Sequence, residues 1–381
     1  MHGSGVCYRL LRLTLLLVCL CTGARALQRV CYLTIDHRPF NDLRLQAFEG
    51  DFCTHINVMP VSVDATGRVF PSSEGDVEKY RLVQELRHVS PDLKILATLI
   101  VVPGSLFSQA VETEAKRRFL ASNILAFLQE HQFDGVDIDW EFPVFSSWDV
   151  SDRGNLVALL QEIRTLFQRE AREEERKLLS LAVPGDVTIV DLGYDVRGIN
   201  ASVDYINLMS YDYTDWHWYY PVTGHNAPLF PFSPAPYLAK LSMTFSANYW
   251  HTLGVAKQKI MVGIPTYSHT FRLVVPWLHS PGSPAWAEDE ELTYGEVCRF
   301  LRAKGSVHAW DAAASVPYAF NASLWISYED ERSAARKATW IRDNGFGGSM
   351  TYNINNDDMD GACGPKRQAF PLHRVIRTLL R

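Results

Sequence analysis

Three acidic residues alternate along one apolar segment, and their type and spacing suit proton transfer. The segment reads FDGVDIDWEF from Phe133 to Phe142, which places Asp137, Asp139 and Glu141 two residues apart. Successive side chains of a β-strand point to opposite faces, so these three carboxyls share one face. Burial of neighbouring carboxyls raises their pKa values, and one of them can then keep a proton near neutral pH. The pattern predicts a general acid, with Glu141 nearest the C-terminal end of the strand.

The alternating acids are also compatible with an edge strand or a metal site. An exposed edge strand can carry such charges, although Gly135, Val136 and Ile138 are typical of a buried strand. The same carboxylates could bind a hard cation, because such cations prefer oxygen ligands. The sequence has no cluster of histidines and no CxxC pair that would favour a transition metal. We therefore expect no metal and no other cofactor.

Strands and helices alternate along the chain around this acidic segment. Apolar, β-branched runs predict eight strands, at Val30–Ile35, His55–Val63, Lys94–Val101, Gly135–Glu141, Leu178–Val183, Tyr205–Tyr211, Lys259–Pro265 and Gly347–Asn353. Longer amphipathic runs predict helices at Asp76–His88, Lys116–Gln132, Asn155–Lys177, Pro236–Leu253 and Arg332–Asn344. This order predicts an α/β fold, a (β/α)8 TIM barrel, with its active site at the C-terminal ends of the strands. About 65 residues separate the seventh strand from the next helix, which predicts a small α+β insertion at about residues 268–330.

The first 26 residues have the composition of a secretory signal peptide. Arg9 and Arg12 precede the apolar run Leu15–Cys21, and Ala24 and Ala26 are the small residues of a cleavage site. The run is too short to span a bilayer, and no later one reaches about 18 apolar residues. We expect a secreted, extracellular monomer with no membrane segment, in which residues 27–381 form one catalytic barrel.

The charge of the mature chain also limits its partners. Loss of the three arginines in the leader leaves 34 basic and 43 acidic residues, a formal charge of −9. A nucleic-acid backbone would repel such a surface, so we expect no nucleic-acid partner. Asn200 and Asn321 each begin an Asn-Ala-Ser sequon and are predicted glycosylation sites.

Four cysteines remain after removal of the leader: Cys31, Cys53, Cys298 and Cys363. In an oxidising compartment they predict two disulfides, for which three pairings are possible. Proximity along the chain favours Cys31–Cys53 and Cys298–Cys363.

The acidic segment resembles the signature of glycoside hydrolase family 18, the chitinases and chitinase-like lectins. That signature has four acids over eight positions, here Asp134-x-x-Asp137-x-Asp139-x-Glu141. The resemblance covers most of the mature chain and includes Asn207-Leu-Met-Ser-Tyr-Asp212, Thr223-Gly-His-Asn-Ala-Pro228, Gly263-Ile-Pro-Thr-Tyr267 and Gly347-Gly-Ser-Met350. The cysteines are placed as in the animal branch of the family, which supports the pairing above.

The resemblance implies a retaining reaction on chitin or N-acetylglucosamine oligosaccharides in which the substrate supplies the nucleophile. The acetamido oxygen attacks the anomeric carbon while Glu141 protonates the bridging oxygen, and water then opens the oxazolinium-like intermediate. By resemblance, Asp139 orients the acetamido group, Asp137 holds a shared proton and Tyr211 donates to the acetamido oxygen. The residues expected to contact the sugar are Tyr32, Phe142, Met209, Asp212, Trp216, Trp218, Tyr267 and Tyr352.

The chain departs from the family at aromatic positions that would line a sugar groove. Animal chitinases generally have tryptophan near the position of His37, and Gly-Gly-Trp where this chain has Leu99-Ile-Val101. Tyr352 replaces the tryptophan that forms the floor of the cleavage subsite. Each lost stacking contact is worth about 1–2 kcal/mol, so the affinity for long polymer is expected to fall.

Further departures lie close to the acid. Phe142 replaces the more frequent tyrosine, and Ser268-His269 replaces Gly-Arg, which is expected to remove a fixed charge. A loop after the sixth strand could compensate for the lost aromatics, with Tyr213, Trp216, Trp218, Tyr219 and Tyr220.

Two functions of different classes follow. The first is hydrolysis of β-1,4 bonds between N-acetylglucosamine units, and the second is binding of chitin oligosaccharides as a catalytically weak or silent lectin. Lectins of the family generally replace the acid, whereas this chain keeps Glu141 with all three aspartates. An unused cluster of buried carboxyls would be costly, which favours the hydrolase.

Overall fold

A computed structural model describes residues 26–36, 51–100, 103–170, 176–233, 235–364 and 368–381. His37, Val101 and nearly all of the predicted leader therefore lie outside the described residues. The described strands are β1 (Gln28–Thr34), β2 (His55–Val63), β3 (Val69–Pro71), β4 (Lys94–Ile100), β5 (Gly135–Asp139), β6 (Leu178–Pro184), β7 (Tyr205–Met209), β8 (Ile260–Pro265), β9 (Tyr267–Leu273), β10 (Ala285–Glu288), β11 (Leu292–Thr293), β12 (Val307–Asp311), β13 (Val316–Asn321), β14 (Leu324–Ser327) and β15 (Gly348–Tyr352). The described α-helices are α1 (Asp76–Gln84), α2 (Ser105–Val111), α3 (Glu114–Glu130), α4 (Asp152–Glu170), α5 (Val187–Gly193), α6 (Val196–Ser202), α7 (Met243–Leu253), α8 (Tyr294–Leu301), α9 (Glu331–Asp343) and α10 (Pro371–Leu379).

Eight parallel strands close into a barrel, as predicted. Their order is β1-β15-β8-β7-β6-β5-β4-β2, and the barrel closes because β1 also pairs with β2. The register places Asp137 of β5 beside Thr98 of β4 and Ser180 of β6. The C-terminal ends of all eight strands therefore meet at one rim, where the acidic segment ends.

The two faces of the barrel strands have different packing partners. The outward residues Val136, Ile138 and Trp140 are buried in the large apolar cluster that includes the helices. The inward cluster is smaller and contains Tyr32, Tyr205, Met261 and Met350 among others. The alternation along β5 thus turns its carboxyls to the interior, as the sequence pattern predicts.

A second, antiparallel sheet is inserted between β8 and α9. Its strand order is β10-β9-β14-β13-β12, with β11 paired to β9, and helix α8 lies between β11 and β12 in the chain. Only Thr266 separates the barrel strand β8 from β9. Because β9 continues directly beyond the rim, its first residues stand beside the open end of the barrel.

Several element bounds differ from those predicted. β5 ends at Asp139 and β7 at Met209, so Glu141 and Tyr211 lie just beyond their strands at the rim. The helix predicted from Pro236 begins at Met243, because the Ser242 hydroxyl accepts from the N–H of Phe245 (3.4 Å) and caps it there. The short helices α2, α5, α6 and α10, of seven to nine residues, are absent from the sequence prediction.

Both disulfides follow the favoured pairing. Cys31 is bonded to Cys53 between β1 and the start of β2, and Cys298 of α8 is bonded to Cys363. The second bridge ties the inserted sheet's helix to the segment that follows the barrel. Within the described ranges, no helix combines the length and apolar character needed to cross a bilayer.

Candidate active site

Asp137 is the innermost acid, and it is fully buried among hydrogen-bond donors. The Tyr32 and Ser180 hydroxyls donate to it at 2.6 Å each, the Asn207 amide at 3.0 Å and the Thr98 hydroxyl at 3.3 Å. Burial raises the pKa of this carboxyl, while the four donors act in the opposite direction. Asp137 is thus held rigidly at the inner end of the row formed by Asp137, Asp139 and Glu141, which we call the acidic column.

Asp139 lies one step nearer the rim and is also buried. Its Oδ1 has no hydrogen-bond partner among the residues that the structure describes. Burial raises its pKa well above the usual range, and the neighbouring charges of Glu141 and Asp137 add to the effect. Such a carboxyl retains its proton unless a neighbour takes it, so proton sharing along the column is favoured.

Glu141 stands at the outer end of the column. It follows β5, lines an open cleft and is exposed to solvent there. Its pKa is raised, mainly because the cleft walls remove water from the carboxyl and also because Asp212 is negatively charged. Glu141 therefore combines access to a ligand with an increased tendency to hold a proton, the two properties of a general acid.

The cleft at the rim has a volume of about 770 Å³, within the range of small-ligand sites. Its lining residues come mainly from the segments after β5, β6 and β7: Glu141, Phe142, Asp186, Met209, Tyr211, Asp212, Asp215, His217, Tyr219, Tyr220 and Tyr237. The predicted residues Phe142, Met209, Tyr211 and Asp212 are thus brought together around the acid.

Four tyrosines form a cage beside the acids. The Tyr352 ring centroid lies 5.7 Å from that of Tyr32 and 6.0 Å from those of Tyr211 and Tyr267. Burial, followed by nearby acidic charge, raises the pKa values of Tyr211 and Tyr352, so their hydroxyls stay neutral donors. Tyr32 lies beneath the cleft with its hydroxyl on Asp137, and a sugar contact for its ring remains a prediction.

Asp212 and His269 form an ion pair at the rim, although the fixed charge of the family's arginine is absent at Ser268-His269. His269 Nε2 lies 2.9 Å from Asp212 Oδ1, and its Nδ1 lies 3.2 Å from Asp215 and 3.3 Å from Glu288. Burial alone would lower the pKa of His269, but Asp212 and the other carboxylates outweigh it and raise the pKa to about 9. The three surrounding acids therefore favour the charged form of His269 at neutral pH.

Three of these side chains, Asp212, Asp215 and His269, form the one group among the described residues whose spacing would suit a metal ion. Ligand atoms of Asp212, Asp215 and His269 lie within 4.8 Å of one another. Both ring nitrogens of His269 face hydrogen-bond acceptors, so the group is already complete as an ion-pair network. We therefore identify Asp212, Asp215 and His269 as an ion-pair network.

The aromatic loop after β7 divides into anchored and exposed residues. Trp216 packs on the inserted sheet, and its indole N–H donates to the Ala285 carbonyl (3.0 Å). Trp218 is 81% exposed at the loop tip and is not part of the cleft lining. Tyr219 and Tyr220 do line the cleft. The sugar contacts predicted for both tryptophans remain predictions, with Trp216 placed as an anchor of the loop.

Other predicted residues have more ordinary surroundings. Asp134 accepts from the Ile95 N–H (2.7 Å) at the far end of β5, so it stabilises the barrel away from the cleft. Asn200 lies in α6, and Asn321 ends β13, where its amide donates to the Lys304 carbonyl (3.2 Å). Glycosylation of either asparagine remains a prediction.

Sequence reasoning missed several residues that build the site. Asn207 could have been found, because it precedes Met209 and Tyr211 with the same two-residue period that marks the acids. His269 likewise lies two residues beyond Tyr267. Asn226 lies in the motif Thr223-Gly-His-Asn-Ala-Pro228, but no sequence feature predicts its contact with the backbone of Asp212, 14 residues away.

Comparisons with known proteins relate the chain to one family and its fold. The family model described as "Glycosyl hydrolases family 18" matches residues 28–357. The oviduct-specific glycoprotein of Sus scrofa is 33% identical over 347 residues, which are 86% of this chain but 63% of that protein, so the chain spans less than two thirds of it. An immunomodulatory active chitinase of Trichuris suis superposes with a TM-score of 0.87 at 27% identity, covering 93% of this chain and 100% of that one. Human YKL-39, described as a pseudo-chitinase with retained chito-oligosaccharide binding, superposes with a TM-score of 0.84 at 27% identity and covers 93% and 100%.

Proposed function

Because the chain belongs to glycoside hydrolase family 18, we propose that it is a secreted glycosidase that cleaves β-1,4 bonds between N-acetylglucosamine units. The substrate class is chitin or its oligosaccharides, which the family's solved structures support. The leader pattern in residues 1–26 supports secretion.

One observation carries the proposal: Glu141 is exposed in the cleft at the end of a column of buried acids and has a raised pKa. A binding protein gains nothing from this arrangement, since buried carboxyls cost free energy and a sugar can be held by aromatic rings alone. A general acid needs it, because the proton must remain on the carboxyl until the glycosidic oxygen arrives.

The geometry supports a substrate-assisted retaining reaction. Glu141 would donate its proton to the bridging oxygen as the acetamido oxygen of the sugar attacks the anomeric carbon, so the glycosidic bond breaks and a cyclic oxazolinium forms. Asp139, with its free Oδ1, would accept the acetamido N–H, and the neutral Tyr211 hydroxyl would donate to the acetamido oxygen. Glu141 then takes a proton from the water that opens the ring, which restores the starting state.

A lectin remains the second candidate. Human YKL-39 shares the fold and is described as a pseudo-chitinase that binds chito-oligosaccharides. In this chain the replacement of a groove tryptophan by Tyr352 favours altered sugar binding, whereas the acids of the cleavage site are all present.

Hydrolysis of fluorogenic chitobiose and chitotriose glycosides by the secreted protein tests the proposal. Glu141→Gln should lower kcat by about a hundredfold to ten-thousandfold, the usual contribution of a general acid, while the oligosaccharide still binds in calorimetry. Glu78→Gln is a matched control, since this exposed glutamate of α1 is far from the acidic column and pairs only with Arg81 in the described contacts. Binding without turnover by folded wild-type protein on every substrate length would favour the lectin.

A further inference from the structure

The end of the cleft next to β6 is built mainly from aliphatic side chains. Pro184 is the last residue of β6 and Ile189 lies on α5, while Leu238 and Leu241 come from the segment that precedes α7. Leu241 is only 8% exposed, although it lines the cleft. We call these four residues the aliphatic end of the cleft. They carry no aromatic ring on which a sugar could stack, and they attract a ligand chiefly by removing apolar surface from water.

Hydrogen bonds hold the two segments of the aliphatic end together. The Trp250 indole N–H of α7 donates to the Pro184 carbonyl at 2.8 Å. At the surface, the Tyr237 hydroxyl donates to Asp186 Oδ2 at 2.8 Å, across 51 residues of sequence. Asp186 and Tyr237 both line the cleft, so this bond joins two parts of its wall. The shape of the aliphatic end is therefore set before a ligand binds, which reduces the entropy that binding costs.

The polar groups around the aliphatic end already have partners. One carboxylate oxygen of Asp186 accepts from the Tyr237 hydroxyl, and the other accepts from the Thr188 N–H at 2.6 Å. The Tyr213 hydroxyl donates to Ser246 Oγ at 2.6 Å. Burial raises the pKa of Tyr237 to about 12, and its bond to Asp186 acts in the same direction, so the phenol stays a donor at neutral pH. A sugar hydroxyl at this end would exchange water for aliphatic neighbours and lose free energy, whereas a methylene chain would gain it.

The proposed reaction places the leaving part of the substrate on this side of Glu141. Asp139 and Tyr211 would hold the acetamido sugar. The rings of Tyr267 and Tyr352 pack beside Tyr211 and are not among the described residues that line the cleft. The cleft extends from Glu141 towards the segments after β6 and β7. The bridging oxygen takes the proton of Glu141 and leaves with the group that it carries, so that group extends into the cleft.

We propose that the aliphatic end binds an alkyl chain carried by the leaving part of the substrate, and so directs the protein towards chito-oligosaccharides that bear an apolar group. This inference rests on the proposed glycosidase function. Leu238 and Leu241 supply the apolar surface, and the bond between Asp186 and Tyr237 keeps the wall in place. The occupant has to be part of the substrate, because the aliphatic end is continuous with the cleft that contains the acid.

Hydrolysis of β-alkyl chitobiosides and chitotriosides, from methyl to hexyl, tests the proposal. The value of kcat/KM should rise by about two- to fourfold for each added methylene until the aliphatic end is filled, because each buried methylene strengthens binding by that factor. Leu238→Asn places a polar amide of similar size in the aliphatic end and should reduce the rise to less than about twofold for each methylene. A flat alkyl series with wild-type protein would overturn the proposal.

Leu192→Asn is the matched control, because Leu192 is a 54% exposed leucine of α5 that does not line the cleft. It should leave the dependence on alkyl length unchanged. Circular dichroism shows which variants fold, and Ile189→Asn gives the same test from the other segment if Leu238→Asn does not. A folded variant of either residue that keeps the full rise with alkyl length would contradict the assignment.

Calorimetry on the Glu141→Gln protein provides a readout without turnover. The Kd of the alkyl glycosides should fall by the same two- to fourfold for each methylene, since the aliphatic end is intact in this variant. Turnover of every glycoside with no dependence on alkyl length in either measurement would refute the role of the aliphatic end alone. Tighter binding with each methylene, but no turnover of any glycoside by wild-type protein, would instead refute the proposed glycosidase.

Discussion

The buried cation at the rim predicts a specific pH dependence of stability. His269 is almost fully enclosed, and the carboxylates raise its pKa from 6.5 to about 9 in the folded state. Because the folded state holds this proton more tightly than the unfolded chain, the group stabilises the fold fully below pH 6.5. That contribution is lost as the pH rises from 6.5 through about 9.

The size of the effect follows from the same shift. Each pKa unit corresponds to about 1.4 kcal/mol, so the contribution of His269 to the free energy of unfolding is about 3 kcal/mol. Between pH 6.5 and 9 it should fall by about 1.4 kcal/mol for each pH unit. Burial chiefly raises the pKa of the partner Asp215 to about 6, so below that pH one of the three acids is neutral and the network weakens from the other side.

Urea unfolding at pH values from 6 to 10, for wild-type protein and for His269→Gln, measures this contribution. Glutamine does not titrate, and the ionisable groups outside the His269 network have the same pKa values in both proteins, so they cancel in the difference. The difference in the free energy of unfolding should be largest near pH 6.5 and smaller by about 3 kcal/mol above pH 9. A difference that stays constant across this range would show that His269 is neutral and that the ion-pair interpretation of the site is wrong.

Two further predictions concern the acidic column and the aromatic loop. Asp137→Ala should lower the free energy of unfolding by at least about 3 kcal/mol in urea titrations, because Tyr32, Asn207 and two further donors lose their buried acceptor; a loss below 1 kcal/mol would contradict the hydrogen-bond network. Trp218→Ala should change the free energy of unfolding by less than about 0.5 kcal/mol but weaken binding of long chito-oligosaccharides by about tenfold. Trp216→Phe should lower the free energy of unfolding by about 1–3 kcal/mol, because the hydrogen bond from the indole N–H to the Ala285 carbonyl is lost. Calorimetry and urea unfolding on both variants compare these outcomes, and equal stability losses would refute the assignment of Trp216 as the anchor.

The inserted sheet has a direct part in the chemistry of the rim. β9 follows the barrel strand β8 with a single residue between them, so Tyr267 and His269 reach Asp212 from the insertion. Trp216 completes the contact in the other direction by donating to the Ala285 carbonyl on β10. The insertion therefore stabilises the cleft wall next to the acid.

The groove of this protein differs from the family pattern while its acids do not. Tyr352 stands where a floor tryptophan is usual, and three other tyrosine rings surround it at about 6 Å. A phenol offers less stacking area than an indole, so the proposed sugar binding would depend more on the residues that line the cleft. Tyr219 and Tyr220 line the cleft on the side of the aromatic loop and can supply stacking contacts.

The sequence by itself determined the features that depend on local periodicity. The two-residue spacing of Asp137 and Asp139 was sufficient to assign their common face on β5, since the period of a strand does not depend on its neighbours. The alternation of strands and helices predicted the barrel, and the separation of cysteines along the chain favoured the observed disulfides.

The tertiary structure alone decided the charge of His269 and the role of Trp216. A histidine in sequence is as consistent with a neutral as with a charged ring, because its pKa depends on which groups the fold places around it. Asp212, Asp215 and Glu288 come from segments 54 to 57 residues before it and 19 after it in the chain, and only the closed barrel with its inserted sheet brings them within about 3.3 Å. Trp216 is equally ambiguous, since an aromatic ring becomes an anchor or a sugar platform according to whether a carbonyl of another segment accepts its N–H.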